Sequence, residues 1–216
     1  MIIGFTVNNI LRDHLTKLEV VYKAITGKVV DLPINPYDLD TYFPNDGVPE
    51  EVDEFNPDFT FTEDTPEIYM KFNDSEEVAE FDVYKFMYTD ASFEIFGSAE
   101  EAVPGLIRSL SDVSKTSEHN IMLTNLESSR SKSATLFFLS KNFFDMKEIY
   151  FPDTREEMWD KFDVIVTDDP KICALKRDNK KVIKIENGFN MDAPCDLSVP
   201  TLNELIKNLD DYLKVL

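Results

Sequence analysis

Cysteine, histidine and long apolar runs are all scarce in this chain of 216 residues, and each scarcity closes off a class of protein. The two cysteines, Cys173 and Cys195, lie 22 positions apart with no paired Cys or His nearby, so neither a disulfide framework nor a zinc site is expected. Both read as buried thiols. His14 and His119 are the only histidines, and neither has a metal-like spacing to its neighbours. The longest apolar runs are strand-sized, and the N-terminus lacks the basic flank and apolar stretch of a signal peptide. The expectation is a chain that neither spans a membrane nor is exported by a signal peptide. No Gly-x-Ser-x-Gly and no Cys–His arrangement appears, which removes the common serine and cysteine hydrolases.

Basic residues are also few, and their shortage is local. Against a net charge of −20, the stretch from Asp31 to Glu80 holds 16 acidic residues and one basic residue, Lys71, a balance of −15. The remaining 166 residues therefore carry −5. Such a surface repels nucleic acid backbones, which excludes DNA or RNA as partners and favours proteins with basic surfaces. The same stretch carries six of the 11 prolines, yet aromatics recur through it, among them Tyr37, Tyr42, Phe59 and Phe61. Disordered linkers are poor in aromatics, so the stretch is expected to pack against something, with a hairpin at Phe59-Thr-Phe-Thr.

What is present is enough for one domain with an insertion, since 43% of the residues are hydrophobic. The chain opens on Met1-Ile-Ile-Gly-Phe-Thr-Val-Asn-Asn-Ile-Leu-Arg-Asp13, a short apolar strand running through a polar turn into a helical pattern. That pattern recurs at Ile10, Leu11, His14, Leu15, Leu18, Val21, Tyr22 and Ile25 and predicts one helix capped by Gly27. Strands are expected at Asn120–Thr124, Glu148–Phe151, Phe162–Asp169 and Lys181–Ile185. Helices are expected over Glu77–Tyr88, over Ala99–Leu110 with Pro104-Gly105 at its middle or start, and over Ser128–Lys141 with Leu136, Phe137, Phe138 and Leu139 buried. Ala91–Gly97 reads as a turn or short loop. Thr201-Leu-Asn-Glu204 is a capping box opening the last helix, whose inner face carries Leu202, Leu205, Ile206, Leu209 and Leu213. Strands alternating with helices predict an α/β fold with a doubly wound parallel sheet.

The opening stretch resembles the first motif of the haloacid dehalogenase-like (HAD) phosphohydrolases, nearest the deoxyribonucleotidase branch: four apolar residues, then Asp-x-Asp-Gly-Thr-Leu-x-Asp. Thr6 stands where that family has its nucleophilic Asp and Asn8 where it has the acid/base Asp. Asn9 and Ile10 replace Gly-Thr, while Leu11 and Asp13 match. Thr124 matches the phosphate-holding hydroxyl of the second motif, and Asp168 and Asp169 match the acids of the fourth. The third motif's lysine is missing from its expected place, where Arg155 is the nearest cation. The resemblance implies a HAD-like, Rossmannoid core over residues 1–30 and 98–216, with residues 31–97 as a cap-type acidic insertion.

HAD chemistry needs an attacking carboxylate, a second carboxyl to protonate the leaving oxygen, a metal between them and a cation on the developing charge. With Thr6 and Asn8 in the acid positions, the resemblance implies a pseudoenzyme with no cofactor, magnesium being left with one or two carboxylates. Thr6, Asn8, Thr124, Asp168 and Asp169 would then be a vestigial pocket, at most a neutral anion cradle. A divergent metal-dependent 5′-nucleotidase or phosphatase, and a pseudoenzyme that senses a nucleotide, stand as alternatives. The stretches Asn9-Ile-Leu-Arg-Asp13, Thr135-Leu-Phe-Phe-Leu139 and Glu157-Met-Trp-Asp160 are similar to a HAD-like family of the structural gene clusters of crAss-like tailed bacteriophages. That likeness implies a structural, protein-binding component of a multi-subunit virion, in the neck or tail, with the cytoplasm as the alternative location.

Overall fold

In a computed structural model of the chain, residues 1–29, 35–39, 82–142, 145 and 148–216 are described. The expected hairpin at Phe59-Thr-Phe-Thr, and most of the acidic stretch, lie outside them. Six strands form one sheet in the order β5-β4-β1-β6-β7-β8, and every neighbouring pair is parallel. They are β1 (Ile2–Thr6), β4 (Asn120–Thr124), β5 (Ile149–Tyr150), β6 (Val164–Thr167), β7 (Lys181–Ile185) and β8 (Leu197–Val199). The central strands are near-continuous apolar runs because helices cover both faces of such a sheet. This is the expected α/β doubly wound architecture. The last strand, β8, has no counterpart in the sequence reading, being three residues long.

From β1 the chain first builds outward through β4 and β5, then returns to the other side of β1 with β6. Strand order therefore reverses between β1 and β6, and the loops leaving their carboxyl ends diverge into a crevice. Gly4 in the middle of β1 permits the close approach on which this centre depends. A Cβ there would lie 2.8 Å from ring carbons of Phe162, at the entrance to β6.

The first helix, α1 (His14–Thr26), begins four residues later than the periodicity predicts. Residues 7–12 instead wind into a tight loop in which the Val7 carbonyl accepts from the amides of Leu11 and Arg12. Arg12–Asp13, as β2, pairs antiparallel with Glu100–Glu101, as β3. Asn9 adopts φ 64°, a left-handed backbone that Asn tolerates better than most residues. The Asp13 side chain caps α1 through the Thr16 amide, and Gly27, at φ 70°, closes it.

Several local expectations need correction. Ala91–Gly97 is not a loop: Phe93–Gly97 is a π-helical turn, preceded by another at Phe86–Asp90, and of the region read as a helix over Glu77–Tyr88 the described residues are α-helical at Val83–Lys85 and π-helical from Phe86. Leu39 and the inner side chains of this segment, Val83, Phe86, Met87, Ile95 and Phe96, pack on Leu18, Val21, Tyr22 and Ile25 of α1. The helix expected over Ala99–Leu110 runs instead over Leu106–Thr116, because Glu101 spans Pro104-Gly105 and accepts from the amides of Gly105 and Ile107. In the helix Ser131–Lys141, Phe138 and Leu139 are buried while Leu136 and Phe137 are about half exposed. Four consecutive apolar residues cannot all face inward at 100° per residue. The final helix divides into Leu202–Lys207 and Leu209–Lys214 behind its Thr201 cap. Cys173 is buried as expected, but Cys195 is exposed. No helix of the described residues is long and apolar enough to cross a membrane.

Candidate functional site

Threonines end three central strands: Thr6 on β1, Thr124 on β4 and Thr167 on β6. Thr6 Oγ1 donates towards the Val166 carbonyl at 3.4 Å and the Thr167 hydroxyl at 3.2 Å. Thr167 Oγ1 in turn accepts from the Asp169 amide at 3.1 Å, which turns the chain after β6 so that both acids follow directly. Thr124 is the register partner of Thr6, wholly buried, and its hydroxyl has no hydrogen-bond partner among the described residues.

Asn8 is anchored on both sides. Its amide donates to Asn125 Oδ1 at 3.3 Å, and its own Oδ1 accepts from Arg12, from Nε at 3.0 Å and from Nη2. Arg12 is the centre of a buried polar network. It pairs with Glu127 at 3.1 Å, with both side chains fully buried, donates to Thr135 Oγ1 at 2.6 Å, and lies against the rings of Phe96 and Phe138. Two of the three short stretches singled out in the sequence, Asn9–Asp13 and Thr135–Leu139, meet in this network. The third places Trp159 in the core against the Ile172 carbonyl.

The two acids after β6 have separate environments. Asp169 is paired with Arg155, Nε to Oδ2 at 2.8 Å, and accepts from the Lys171 amide at 2.7 Å. Arg155, the cation nearest the expected place of the missing lysine, therefore does reach one of the two acids, from the first position of the helix Arg155–Lys161. Asp168 is buried; it accepts from the Tyr37 hydroxyl at 2.5 Å and from Asn187 Nδ2 at 3.0 Å. Burial pushes its carboxyl up to about 7, against the Tyr37 hydrogen bond and with the charge of Asp169 adding to the rise. Lys184, buried in β7, donates to the carbonyls of Asn190, Met191 and Ala193 and so shapes the loop that presents Asn187 and Asn190 to Asp168.

A cavity of about 270 Å³ opens over these strand ends. Thr6, Asn8, Asn125, Arg155, Asp169 and Lys171 give its polar wall, and Tyr37, Tyr84, Tyr88 and Met158 its less polar one. Of the five residues expected together, Thr6, Asn8 and Asp169 line it, while Thr124 and Asp168 do not. Tyr37, Lys171 and Asn125 were missed as site residues, since none belongs to a motif and Tyr37 comes from the acidic insertion. His14 reaches the same wall. Burial, and then the charge of Arg12, pull its imidazole down to about 3, so it is neutral.

No protein-family model matches the chain, and no curated protein does. Solved structures do. The putative HAD-hydrolase YfnB from Bacillus subtilis, bound to magnesium, is 11% identical over 97% of this chain and 98% of that one, with a TM-score of 0.53. A dehalogenase with an intermediate complex is 8% identical over 94% of each chain, with a TM-score of 0.51. The fold is that of the haloacid dehalogenase-like hydrolases.

This HAD-like architecture corrects two expectations. The chain was expected not to be an enzyme, yet the structures that share its fold are a hydrolase and a dehalogenase. It was expected to use no cofactor, yet the Bacillus subtilis hydrolase of this fold is bound to magnesium. The oxygens that would meet such an ion here are those of Asn8, Asp168 and Asp169. Each already has a protein partner, namely Arg12, Tyr37 with Asn187, and Arg155 with the Lys171 amide. Among the described residues no three His, Cys, Asp or Glu gather to hold a metal. As arranged, these groups do not form a magnesium cage, and an ion at Asp169 would lie beside the Arg155 guanidinium.

Proposed function

We propose that the chain is a divergent phosphohydrolase that takes a small phosphate monoester into the cavity at the carboxyl ends of β1 and β6. The observation that carries this reading is the composition of that one cavity: two cations, Arg155 and Lys171, one carboxylate, Asp169, and the neutral polar groups of Thr6, Asn8 and Asn125. A phosphate ester brings two negative charges and acceptor oxygens, which cations and neutral donors match. Asp169 is the one carboxylate among the described residues that line the cavity, so it is the proton acceptor available there. It takes a proton from the attacking water, and the ester oxygen, leaving on the opposite side as the phosphorus–oxygen bond breaks, takes its proton from solvent. Arg155 holds Asp169 in place and, with Lys171, meets the charge on the phosphoryl oxygens.

The test is release of phosphate from phenyl phosphate by the full chain, with excess magnesium and with chelator, beside calorimetric titration of inorganic phosphate. Saturable release that Asp169→Asn slows by about 10²-fold or more is the expected result. Absence of both release and binding, with magnesium and with chelator, overturns the reading.

Charge favours a second reading. The −15 carried between Asp31 and Glu80 suits a basic protein surface, as in the neck or tail of a tailed-phage virion. Antibody labelling of purified phage particles tests it, and unlabelled particles would remove it.

A further inference from the structure

The cavity holds two cations, but their charges are not equally spent. Arg155 is neutralised by Asp169 at 2.8 Å. Lys171 is different: its Nζ donates at 2.6 Å to the main-chain carbonyl of Tyr37, and no carboxylate of the described residues pairs with it. An ammonium has three N–H donors and a carbonyl takes one, so two remain for another acceptor. A long, exposed side chain that would otherwise sample many rotamers is thus held at the cavity wall with its charge unspent.

What holds it is a short strap, residues 35–39. Tyr37 is fixed at its far end by Asp168, and its hydroxyl accepts from Asn9 Nδ2 at 3.1 Å. Its ring meets that of Phe189 edge-on at 5.8 Å. The Leu39 amide donates to the Tyr84 hydroxyl at 3.1 Å, and the Leu39 side chain is buried. Pro36 and Tyr37 themselves line the cavity. The strap therefore joins the loop after β1, the turn after β6 and the segment bearing Tyr84, and its Tyr37 carbonyl aims Lys171.

We infer that Lys171 is the anion-holding residue of the cavity, positioned by the Tyr37 carbonyl, and that an anion bound there tightens strap 35–39. This inference rests on the proposed phosphate site and names the residue that reads the phosphate. The anion takes the two spare donors of Lys171 while the carbonyl keeps the third, so ligand, lysine and strap are fixed together.

Inorganic phosphate and phenyl phosphate are the probes, titrated by calorimetry, with amide hydrogen exchange followed at Tyr37, Asp38 and Leu39. These three amides donate to Asn35 Oδ1, the Asn35 carbonyl and the Tyr84 hydroxyl. In the unmodified chain, phosphate slows their exchange. Lys171→Gln weakens phosphate about tenfold, as loss of a charged hydrogen bond does, and removes the effect on exchange. Lys171→Arg, which keeps charge and donors, restores most of both. Tyr37→Phe, which frees the strap from Asp168 without touching Lys171, weakens phosphate to an intermediate degree. Melting temperatures confirm that each variant folds. Phosphate binding equally to Lys171→Gln and the unmodified chain overturns the inference and leaves the phosphate site standing. Binding that Lys171→Gln weakens without any change in strap exchange overturns the coupling. Absence of phosphate binding in the unmodified chain overturns the site itself.

Discussion

Arg155 and Asp169 lie 14 residues apart in sequence and 2.8 Å apart in space, closing one wall of the cavity. Their roles in the proposed reaction separate by kinetics. Asp169→Asn removes the proton acceptor and keeps the shape, so kcat for phenyl phosphate falls by about 10²-fold or more while KM changes little. Arg155→Met removes charge that the bound phosphate feels before and during reaction, so its larger effect is on KM. Steady-state kinetics of the two variants check the pair, and equal loss in kcat from both would show that Arg155 acts only through Asp169.

Arg12 and Glu127 make a stability prediction. Both side chains are fully inaccessible to solvent, and Glu127 Oε2 has no hydrogen-bond partner among the described residues, so the glutamate depends on Arg12, Thr135 and Asn125, all donating to Oε1, with Arg12 the one cation among them. Arg12→Met strands a buried carboxylate and destabilises the fold by about 3–5 kcal/mol in urea unfolding. The double variant Arg12→Met/Glu127→Gln recovers part of that loss. A single variant as stable as the unmodified chain would contradict a compensating role for Arg12.

Much of this was legible because it depended on local chemistry. Runs such as Val164-Ile165-Val166 announce central strands by being apolar on both faces, and Thr201-Leu-Asn-Glu204 announces a helix start through its own hydrogen bonds. Thr6, Asn8 and Asp169 were singled out by the resemblance to the HAD motifs, which places them at strand ends. Arg12 was not legible as a core residue, since a charged side chain in a polar turn reads as solvated until Glu127, Thr135 and two rings from elsewhere are brought to it. Tyr37 was hidden for the same reason: its partners Asp168 and Lys171 are over 130 residues away. The π-turns at 86–97 escaped because one extra residue per turn leaves no periodic mark in so short a segment.

Gly4 tests how closely the centre of the sheet is packed. A methyl group there meets the Phe162 ring at 2.8 Å, and the ring is fully buried, so it cannot swing into solvent. Gly4→Ala is expected to cost about 1–3 kcal/mol by overpacking. Adding Phe162→Leu makes room and offsets part of the cost, a non-additive result that a double-mutant cycle in urea measures. Additive losses would mean that the two positions do not press on one another.

Two buried groups give the chain opposing pH dependences. Asp168 is raised to about 7, so between its unfolded value, near 4, and 7 the native state holds a proton that the unfolded chain has lost. Stability from this group is therefore full at low pH and declines as pH rises through that window. His14 is lowered to about 3, so between about 6.5 and 3 the unfolded chain binds a proton that the native state refuses. Stability from this group is full above 6.5 and declines as pH falls. Each shift spans about 3 units, worth about 4 kcal/mol at 1.36 kcal/mol per unit, and the windows overlap, so the two slopes largely cancel between pH 4 and 6.5. Single variants should expose them. His14→Phe, which keeps a ring beside Phe96, leaves the Asp168 slope, and stability then falls as pH rises from 4 to 7. Asp168→Asn leaves the His14 slope, and stability falls as pH drops below 6.5. Urea unfolding at half-unit pH steps measures both, and parallel profiles in the two variants would rule out Asp168 and His14 as the opposing pair.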